Sequence, residues 1–266
     1  MKYIFSIALF FCMYNSTAQL NIGIEKSPNF RTYNSLKNKE GKTFKPSALF
    51  RSGSISSLTN ADKEKILNLK LNTIVDFRTD FEISREPDDT LGLSVETIRI
   101  PMGNISRESS MTMFSVLNNA NSTETTVDSM MLSFYKNFSE SIASYKTFFN
   151  VLLQPDSKIL FHCSAGKDRT GIASALLLTA LDFDQQTIFE DFLRSNEAVK
   201  SIDLEKMKMY GIPEKYAMIL MKVKPDYLKE AIIKINDKYG SVEKMMATEL
   251  GIGSKEKELL KSKYLN

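Results

Sequence analysis

The sequence predicts an α/β protein with a central, mostly parallel sheet flanked by helices, followed by a helical C-terminal part. Short apolar, β-branched runs at Thr73–Phe77, Val95–Ile100 and Lys158–Phe161 are typical of buried strands. Helical patterns alternate with these runs, as they do in parallel sheets. From Asp184 onward the pattern is helical throughout, and the 42% of hydrophobic residues can build a full core.

The first eighteen residues have the pattern of a secretory signal peptide. One early cation, Lys2, precedes an apolar run from Tyr3 to Met13, and the small residues up to Ala18 form a cleavage site ahead of Gln19. The run is shorter than the roughly 20 apolar residues that span a membrane, so we expect no stable membrane insertion. We therefore expect residues 1–18 to be removed and 19–266 to form one exported domain, periplasmic or secreted.

Cleavage there also decides the cysteine content. It removes Cys12 and leaves Cys163 as the single cysteine of the exported protein, which excludes an internal disulfide.

The first half of the predicted domain contains two helices and a loop. A helix is predicted over Thr59–Lys70, with Thr59 as its N-cap and Asp62 in its first turn. The Asn-, Ser- and Thr-rich stretch Gly103–Val127 predicts a loop, and a helix is expected across Met130–Val151, just before the strand 158–161.

The C-terminal part is divided by prolines and glycines. Pro213 and Pro225 mark helix starts, and Gly240 and Gly251 mark turns. One segment, about 197–223, has two interpretations: ordinary helix packing, or a mobile helical lid over a phosphate site. Its methionines and aromatic residues are Met207, Met209, Tyr210, Tyr216, Met218 and Met221.

The most informative stretch is His162–Gly171, which places a cysteine and an arginine with five residues between them. It follows the predicted strand 158–161 and precedes a buried helical run at Gly171–Leu178. Backbone N–H groups of such a loop, together with the positive end of the helix dipole, form a cradle for a dianion. The spacing is that of a covalent phosphate-transfer site.

Each residue type in this loop has a role in that chemistry. A helix N-terminus and a nearby arginine favour a thiolate, so we expect Cys163 to attack phosphorus and form a cysteinyl-phosphate. The Arg169 guanidinium would grip two phosphoryl oxygens. The Thr170 hydroxyl would hydrogen-bond the sulfur as it leaves. No metal and no cofactor are needed.

The remaining loop residues are candidates for substrate binding. We expect Ser164, Ala165, Gly166, Lys167 and Thr170 to line the phosphate site. Lys167 either favours substrates with more than one phosphate or points to solvent. We expect the ring of His162 to hydrogen-bond the loop backbone and orient the cysteine.

Four carboxylates compete for the role of general acid. Asp156 precedes the catalytic strand and so lies at the wrong edge of the sheet, and Asp128 lies in a polar stretch without a proline. Asp76 ends a strand and reaches the active edge if that strand is parallel to the catalytic one, while Asp168 is already in the loop. We rank Asp76 and Asp168 first as the general acid. Each also has an alternative structural role: Asp76, at a strand end, as the ion-pair partner of an arginine, and Asp168, at a helix start, as a carboxylate that complements the helix dipole.

These residues resemble the cysteine-dependent protein tyrosine phosphatase superfamily. The ending Gly166–Gly171 is similar to its secreted bacterial branch, called triple-specificity because members act on phosphotyrosine, on phosphoserine or phosphothreonine, and on phosphoinositides. The resemblance implies a tyrosine phosphatase-like fold and also points to Asp76 and Asp168. Further matching segments are Leu49–Gly53, Leu58-Thr59, Thr73–Thr79, Glu86–Asp88, Asp191–Asn196, Tyr239–Ser241 and Leu250–Ile252.

Two departures from the family pattern stand out. The usual Phe-Arg-Asp-Leu-Gly-Gly segment is here Phe30–Ser35, which lacks the acid and both glycines. The chain contains no tryptophan, so the Trp-Pro-Asp acid loop of eukaryotic tyrosine phosphatases is absent in that form.

We therefore predict an exported phosphatase that acts on a phosphorylated protein or a phosphoinositide. The alternatives are a phosphate-binding module without turnover, an inositol-phosphate phosphatase, and a sulfur transferase, which has no need of the Arg169–Gly171 ending. The formal charge of +3 argues against nucleic acid as a partner. Interleaved charges along Lys200–Lys263 indicate a solvated face or, alternatively, contact with an anionic membrane surface.

Overall fold

The computed structural model describes residues 22–46, 48–89, 95–103, 107–155, 158–201, 204–209 and 211–266. The predicted signal peptide, Asp156 and Tyr210 lie outside the described residues. Within the described part, no helix has the length and apolar character needed to cross a membrane.

A five-stranded sheet forms the centre of the described structure, in the order β1-β2-β5-β3-β4. The pairings of β2, β5, β3 and β4 are parallel, and β1 joins antiparallel at one edge. Strand β5 is therefore central, and its carboxyl end lies beside those of β2 and β3. The strands are β1 Arg31–Thr32, β2 Leu49–Ser52, β3 Thr73–Asp76, β4 Glu96–Arg99 and β5 Ile159–His162.

Helices cover both faces of the sheet and make up the C-terminal part, which confirms the predicted fold class. The first six are α1 Asn60–Asn68, α2 Asp80–Arg85, α3 Arg107–Asn118, α4 Glu124–Lys136, α5 Tyr145–Leu153 and α6 Arg169–Ala180. The later six are α7 Gln185–Leu193, α8 Leu204–Met209, α9 Glu214–Met221, α10 Pro225–Tyr239, α11 Val242–Thr248 and α12 Ser254–Tyr264. Short 3-10 turns lie at Asn137–Glu140, Ile142–Ser144 and Arg194–Ser201.

Several local predictions are confirmed. Thr59 caps α1 and forms a capping box with Asp62. Pro213 is the N-cap of α9 and Pro225 is the first residue of α10. Gly240 and Gly251 have φ of +89° and +72°, the left-handed region that glycine adopts at low cost.

The predicted loop at Gly103–Val127 is wrong, because this stretch contains all of α3 and the start of α4. Leu117 of α3 is 1% exposed and packs with Tyr216 and Leu220 of α9. The helix is thus stabilised by partners about a hundred residues further on, which local polarity cannot reveal.

The predicted helix Met130–Val151 is also interrupted. Helix α4 ends at Lys136, two 3-10 turns follow, and α5 begins at Tyr145. Serines recur in this interruption, and their side chains compete with helical backbone bonds.

Alternate side chains of β5 enter two different cores. Ile159 and Phe161 belong to the large core beneath α5, α6, α7 and α10, whereas Leu160 packs on the opposite face with Ile66 of α1. This alternation directs Cys163, the residue after the strand, into the large core, where it is 1% exposed.

Candidate active site

The cysteine lies where the sequence predicts, at the carboxyl end of the central strand. β5 ends at His162, the loop 163–168 follows, and α6 begins at Arg169. Because Ser52 and Asp76 are the register partners of His162, the chain leaves β2 and β3 beside this loop. The loop therefore sits at the edge where parallel α/β sheets place their sites.

Gly166 allows the loop to pack directly against the end of β2. Its φ is +68°, and an added Cβ would lie 2.5 Å from the backbone of Ser52 and Gly53. No L side chain fits there without displacing backbone. The backbone carbonyl of Gly166 accepts a hydrogen bond of 2.8 Å from Arg51 Nη2, which fixes the loop from behind.

A buried charge cluster supports that contact. Asp191 of α7 accepts a hydrogen bond of 2.6 Å from Arg51 Nη1, and it also contacts Arg31 Nε at 3.4 Å. Ser174 of α6 donates to the same carboxylate at 2.7 Å. The sequence marked Arg51 and Asp191 only as parts of similar segments. Their role is visible only when β2, α6 and α7 are brought together.

Two arginines share one carboxylate in this cluster, so its charge is net positive. Burial and the neighbouring charge of Arg51 lower the pKa of Arg31 to about 10, although Asp191 acts in the opposite direction. A positive cluster behind the loop favours an anion in front of it.

Arg169 is held by a carboxylate that the sequence interpretation missed. Its Nη1 and Nη2 each lie 2.7 Å from one oxygen of Glu82, and Nη1 also donates to the Phe77 carbonyl at 3.2 Å. Ser164 of the loop donates to Glu82 as well. This two-point bond fixes the plane of the guanidinium.

Local sequence places Glu82 at this position. The backbone N–H of Thr79 donates to Glu82 Oε2 at 2.9 Å, and the Thr79 hydroxyl accepts from the Glu82 backbone. This capping box begins α2 directly after β3. The Thr-x-x-Glu pattern was therefore an available signal, but its partner Arg169 is 87 positions away.

The ion pair changes the acidity of both groups. Burial alone would raise the pKa of Glu82, but the hydrogen bonds and charge of Arg169 outweigh it and lower that pKa to about 2. For Arg169, burial acts to lower the pKa, but the hydrogen bonds that Arg169 donates to Glu82 and the electrostatic interactions with Cys163 and Glu82 raise that pKa above its usual value. Both groups are therefore ionised at all physiological pH.

This shift predicts how stability depends on pH. Since the folded-state pKa of Glu82 lies below its ordinary 4.5, the stabilisation is complete above about pH 4.5 and is lost as the pH falls toward 2. We expect Glu82→Gln to be less stable at neutral pH and to show a shallower loss of stability below about pH 4.5.

Urea unfolding from neutral pH to about pH 3 measures both effects. Glu256→Gln is the matched control, because Glu256 has the same capping-box position in α12. Parallel pH curves for wild type and Glu82→Gln would contradict the prediction.

Asp76 emerges at the active edge, as predicted from a parallel β3. It is 1% exposed, and both its oxygens accept from Arg78: Nε lies 3.0 Å from Oδ1, and Nη2 lies 2.9 Å from Oδ2. The Arg78 backbone N–H also donates to Oδ1 at 2.9 Å. The carboxylate is thus engaged as the ion-pair partner of Arg78.

Asp168 lies in the loop and is more accessible. Its side chain is 18% exposed, and Lys167 Nζ lies 2.8 Å and 2.7 Å from its two oxygens. Tyr135 of α4 donates to Oδ1 at 2.5 Å. Lys167 is 4% exposed, which excludes one of its two interpretations, a lysine that points to solvent.

Asp128 is engaged outside the loop. Its Oδ1 lies 2.6 Å from Lys224 Nζ and accepts a hydrogen bond from the Tyr227 hydroxyl. The low rank given to Asp128 is consistent with these contacts.

The ring of His162 makes a different contact from the one predicted. It is fully buried and its Nε2 lies 3.3 Å from Asp88 Oδ2, but neither ring nitrogen makes a hydrogen bond within the described residues. The predicted bond to the loop backbone is therefore absent. The Asp88 carboxylate faces the ring instead, in the Glu86–Asp88 segment that the family resemblance includes.

The Thr170 hydroxyl also lacks its predicted partner. It is buried, and within the described structure it forms no hydrogen bond, so a bond to the Cys163 sulfur is not made in this state.

One acidic cluster has ligand atoms close enough to suggest a metal. Atoms of Asp76, Asp88 and His162 lie within 4.8 Å of one another. However, Arg78 Nη2 lies 2.9 Å from Asp76 and 2.5 Å from Asp88. The guanidinium already supplies the cation between these carboxylates, so the cluster does not fit a metal ion.

The fold and the site together define a class. A buried thiol follows the central parallel strand, a loop that contains Gly166 comes next, and an arginine is the first residue of the following helix. This is the arrangement of a cysteine-dependent phosphate site.

The chain belongs to the tyrosine phosphatase family, whose sequence profile matches residues 22–266. This confirms the resemblance and identifies the protein as a hydrolase of the protein tyrosine phosphatase type. A Cupriavidus necator protein named as a tyrosine-protein phosphatase is 29% identical to this chain over 236 residues, which cover 87% of this chain and 85% of that protein.

Two further proteins are similar. The triple specificity protein phosphatase PtpB of Mycobacterium tuberculosis is 26% identical over 231 residues, covering 74% of this chain and 84% of that protein. The crystal structure of TpbA from P. aeruginosa in complex with phosphotyrosine matches with a TM-score of 0.34 and 16% identity, covering 78% of this chain and 98% of that one.

Proposed function

We propose that this protein hydrolyses phosphomonoesters through a cysteinyl-phosphate intermediate on Cys163. The observation that carries the proposal is the two-point bond between Glu82 and Arg169, at 2.7 Å on each nitrogen, in the helix turn that follows the cysteine loop. A rigid guanidinium preorganised beside a thiol is what phosphoryl transfer requires, since catalysis there consists mainly of positioning and charge stabilisation.

The proposed reaction has two steps. The Cys163 thiolate attacks phosphorus, a P–S bond forms, the P–O bond to the alcohol or phenol breaks, and the departing oxygen takes a proton from an aspartic acid. Water then attacks phosphorus, the aspartate accepts its proton, and the P–S bond breaks to release phosphate and the thiolate. Loop N–H groups and Arg169 stabilise the charge on the phosphoryl oxygens throughout.

We propose Asp168 as the acid and then the base of these steps, and Asp76 as the partner that orients Arg78. Asp168 is the more exposed of the two and lies in the loop itself, whereas the Asp76 oxygens are both bound by Arg78 in a buried site. A carboxylate that exchanges protons needs access to the leaving group, which favours Asp168.

This assignment predicts different losses for the two aspartates. Asp168→Asn should lower kcat on phosphotyrosine by about a hundredfold and flatten the fall of activity at high pH, because that fall reports loss of the acid's proton. Asp76→Asn should mainly lower stability, because the buried Arg78 keeps its charge and loses one of its two carboxylate partners, Asp88 being the other. Measured pH–rate profiles and unfolding curves of the two variants distinguish these roles. If Asp76→Asn instead lowered kcat and flattened the high-pH fall, the acid would be Asp76.

For the substrate, we propose phosphotyrosine, with phosphoserine or phosphothreonine and phosphoinositides as further substrates. A relative named for triple specificity supports this range. Lys167 adds no free cation for a second phosphate in this state, because it is 4% exposed and its Nζ contacts both oxygens of Asp168.

The experiment is phosphate release by residues 19–266 from a phosphotyrosine peptide, a phosphoserine peptide and a phosphoinositide panel, with EDTA present and Cys163→Ser as control. Turnover that survives chelation and is absent from the control supports the proposal and ranks the substrates. Phosphate binding without turnover on any substrate would favour the alternative of a phosphate-binding module.

We further propose that the protein is exported after cleavage near Ala18. The charge and apolar pattern of residues 1–18 supports this. N-terminal sequencing of the protein recovered outside the cytoplasm tests it, and a mature protein that retains Met1 would contradict it.

A further inference from the structure

Asp168 lies at the N-terminus of α6, where an aspartate commonly caps the helix, yet its side chain does not cap this helix. It is the N-cap residue of α6, but it makes no capping hydrogen bond to that helix. A carboxylate that complements only the helix end would bond the N–H groups of the first turn. Its orientation is therefore set by other groups.

Those groups are Lys167 and Tyr135. Lys167 is the preceding residue and contacts both oxygens of Asp168, whereas Tyr135 comes from α4, 33 positions away, and contacts only Oδ1. Oδ1 thus accepts two hydrogen bonds from these groups and Oδ2 accepts one. This asymmetry leaves Oδ2 with the greater free capacity to exchange a proton.

The Tyr135 phenol is rigidly held. The residue is fully buried, its ring stacks on Tyr227 at 5.1 Å between centroids, and the edge of Phe192 packs against it at 90°. Burial and then the charge of Asp168 raise the pKa of Tyr135 well above its ordinary value. The hydroxyl is therefore a permanent donor with a fixed direction.

We propose that Tyr135 is a positioning residue, which holds the Asp168 carboxylate so that Oδ2 exchanges the proton with the leaving group. The inference rests on the proposed function, because it assigns Asp168 as the acid. Tyr135 itself need not touch the substrate. A merely structural phenol would satisfy its own hydrogen bond without affecting the chemistry, and the two cases differ in measurable ways.

The first test varies the leaving group. An acid is needed most when the departing oxygen is basic, as in phosphotyrosine, and least when it is stabilised by an electron-withdrawing group, as in 4-nitrophenyl phosphate. We expect Tyr135→Phe to lower kcat/KM, which reports the steps up to cleavage of the P–O bond, about tenfold on the phosphotyrosine peptide and by less than about twofold on 4-nitrophenyl phosphate. The hydrolysis of the cysteinyl-phosphate that follows is the same for both substrates, so kcat is not the quantity compared.

The second test is a double-mutant cycle. If Tyr135 acts through Asp168, then Tyr135→Phe should have almost no further effect in an Asp168→Asn protein. A full additional loss of activity in the Asp168→Asn background would overturn the inference. In the leaving-group test, an equal loss of kcat/KM on both substrates, or no loss on either, would also overturn it.

Two matched tyrosines serve as controls. Tyr145→Phe removes a buried phenol that donates at 2.6 Å to the Arg169 carbonyl and has no bond to Asp168 among the contacts described above. Any fall in kcat/KM should therefore be similar for both leaving groups, and it should add to the fall caused by Asp168→Asn. Tyr264→Phe removes a buried phenol that donates to the Leu152 carbonyl at 2.8 Å and should leave activity unchanged.

Inhibition by inorganic phosphate shows whether the loop is intact in each variant, and it should be the same in Tyr135→Phe and wild type. A wild-type protein that releases no phosphate would overturn the proposed function itself. An active wild type whose Tyr135→Phe loss is independent of the leaving group would overturn this inference alone.

Discussion

Replacing Cys163 by serine is expected to lower phosphate release by about 10⁴-fold or more while leaving phosphate binding in place. A serine hydroxyl is far less acidic than a thiol, so at neutral pH it supplies almost no anionic nucleophile. His162 does not replace that activation, because its Nε2 faces Asp88 and neither ring nitrogen makes a hydrogen bond within the described residues. The groups that bind the anion, Arg169 and the loop backbone, are unchanged. The variant should therefore hold a substrate without consuming it.

The measurement has two parts. Phosphate release with EDTA present gives the loss of turnover, and calorimetric titration with a phosphotyrosine peptide shows that binding remains. Wild type quenched during turnover should carry one phosphoryl group on the Cys163 peptide by mass spectrometry. A Cys163→Ser protein that still turns over would show that the nucleophile is a different group.

The nucleophile loop was predictable from the sequence because every part of it is local. Cys163, Arg169 and the glycine between them lie within seven residues, and the strand before them and the helix after them have clear apolar patterns. The edge position of Asp76 was predictable too, since it needs only a parallel strand.

The groups that orient the loop from other elements were not predictable, because each of them lies far away in sequence. Glu82 and Tyr135 contact loop residues from α2 and α4, and Asp191 of α7 acts through Arg51, which bonds the Gly166 carbonyl. The same reason explains the error over 103–127, where a polar stretch becomes helical by packing on α9. The local sequence pattern identifies which groups react. Their orientation depends on contacts with distant helices, and a single sequence does not specify how those helices pack.

Replacing Arg169 by lysine is expected to lower kcat/KM by about 10³-fold, with kcat reduced and KM raised. Lysine keeps the charge but has one nitrogen in place of the planar fork, so it cannot hold two phosphoryl oxygens while it also bonds both oxygens of Glu82. Arg99→Lys is the matched control, because Arg99 is exposed and pairs with Asp80 at the surface. It should keep full activity.

The same variant tests whether Glu82 acts through Arg169. In wild type, Glu82→Gln should reduce turnover because the guanidinium loses its fixed plane. In an Arg169→Lys protein there is no guanidinium plane to fix, so adding Glu82→Gln should reduce turnover much less than it does in wild type. The effects of the two substitutions on turnover should therefore not be additive. Steady-state kinetics on the four proteins of this cycle gives the coupling directly. Additive losses would mean that Glu82 supports the site by another route, such as its bond from Ser164 or the capping of α2.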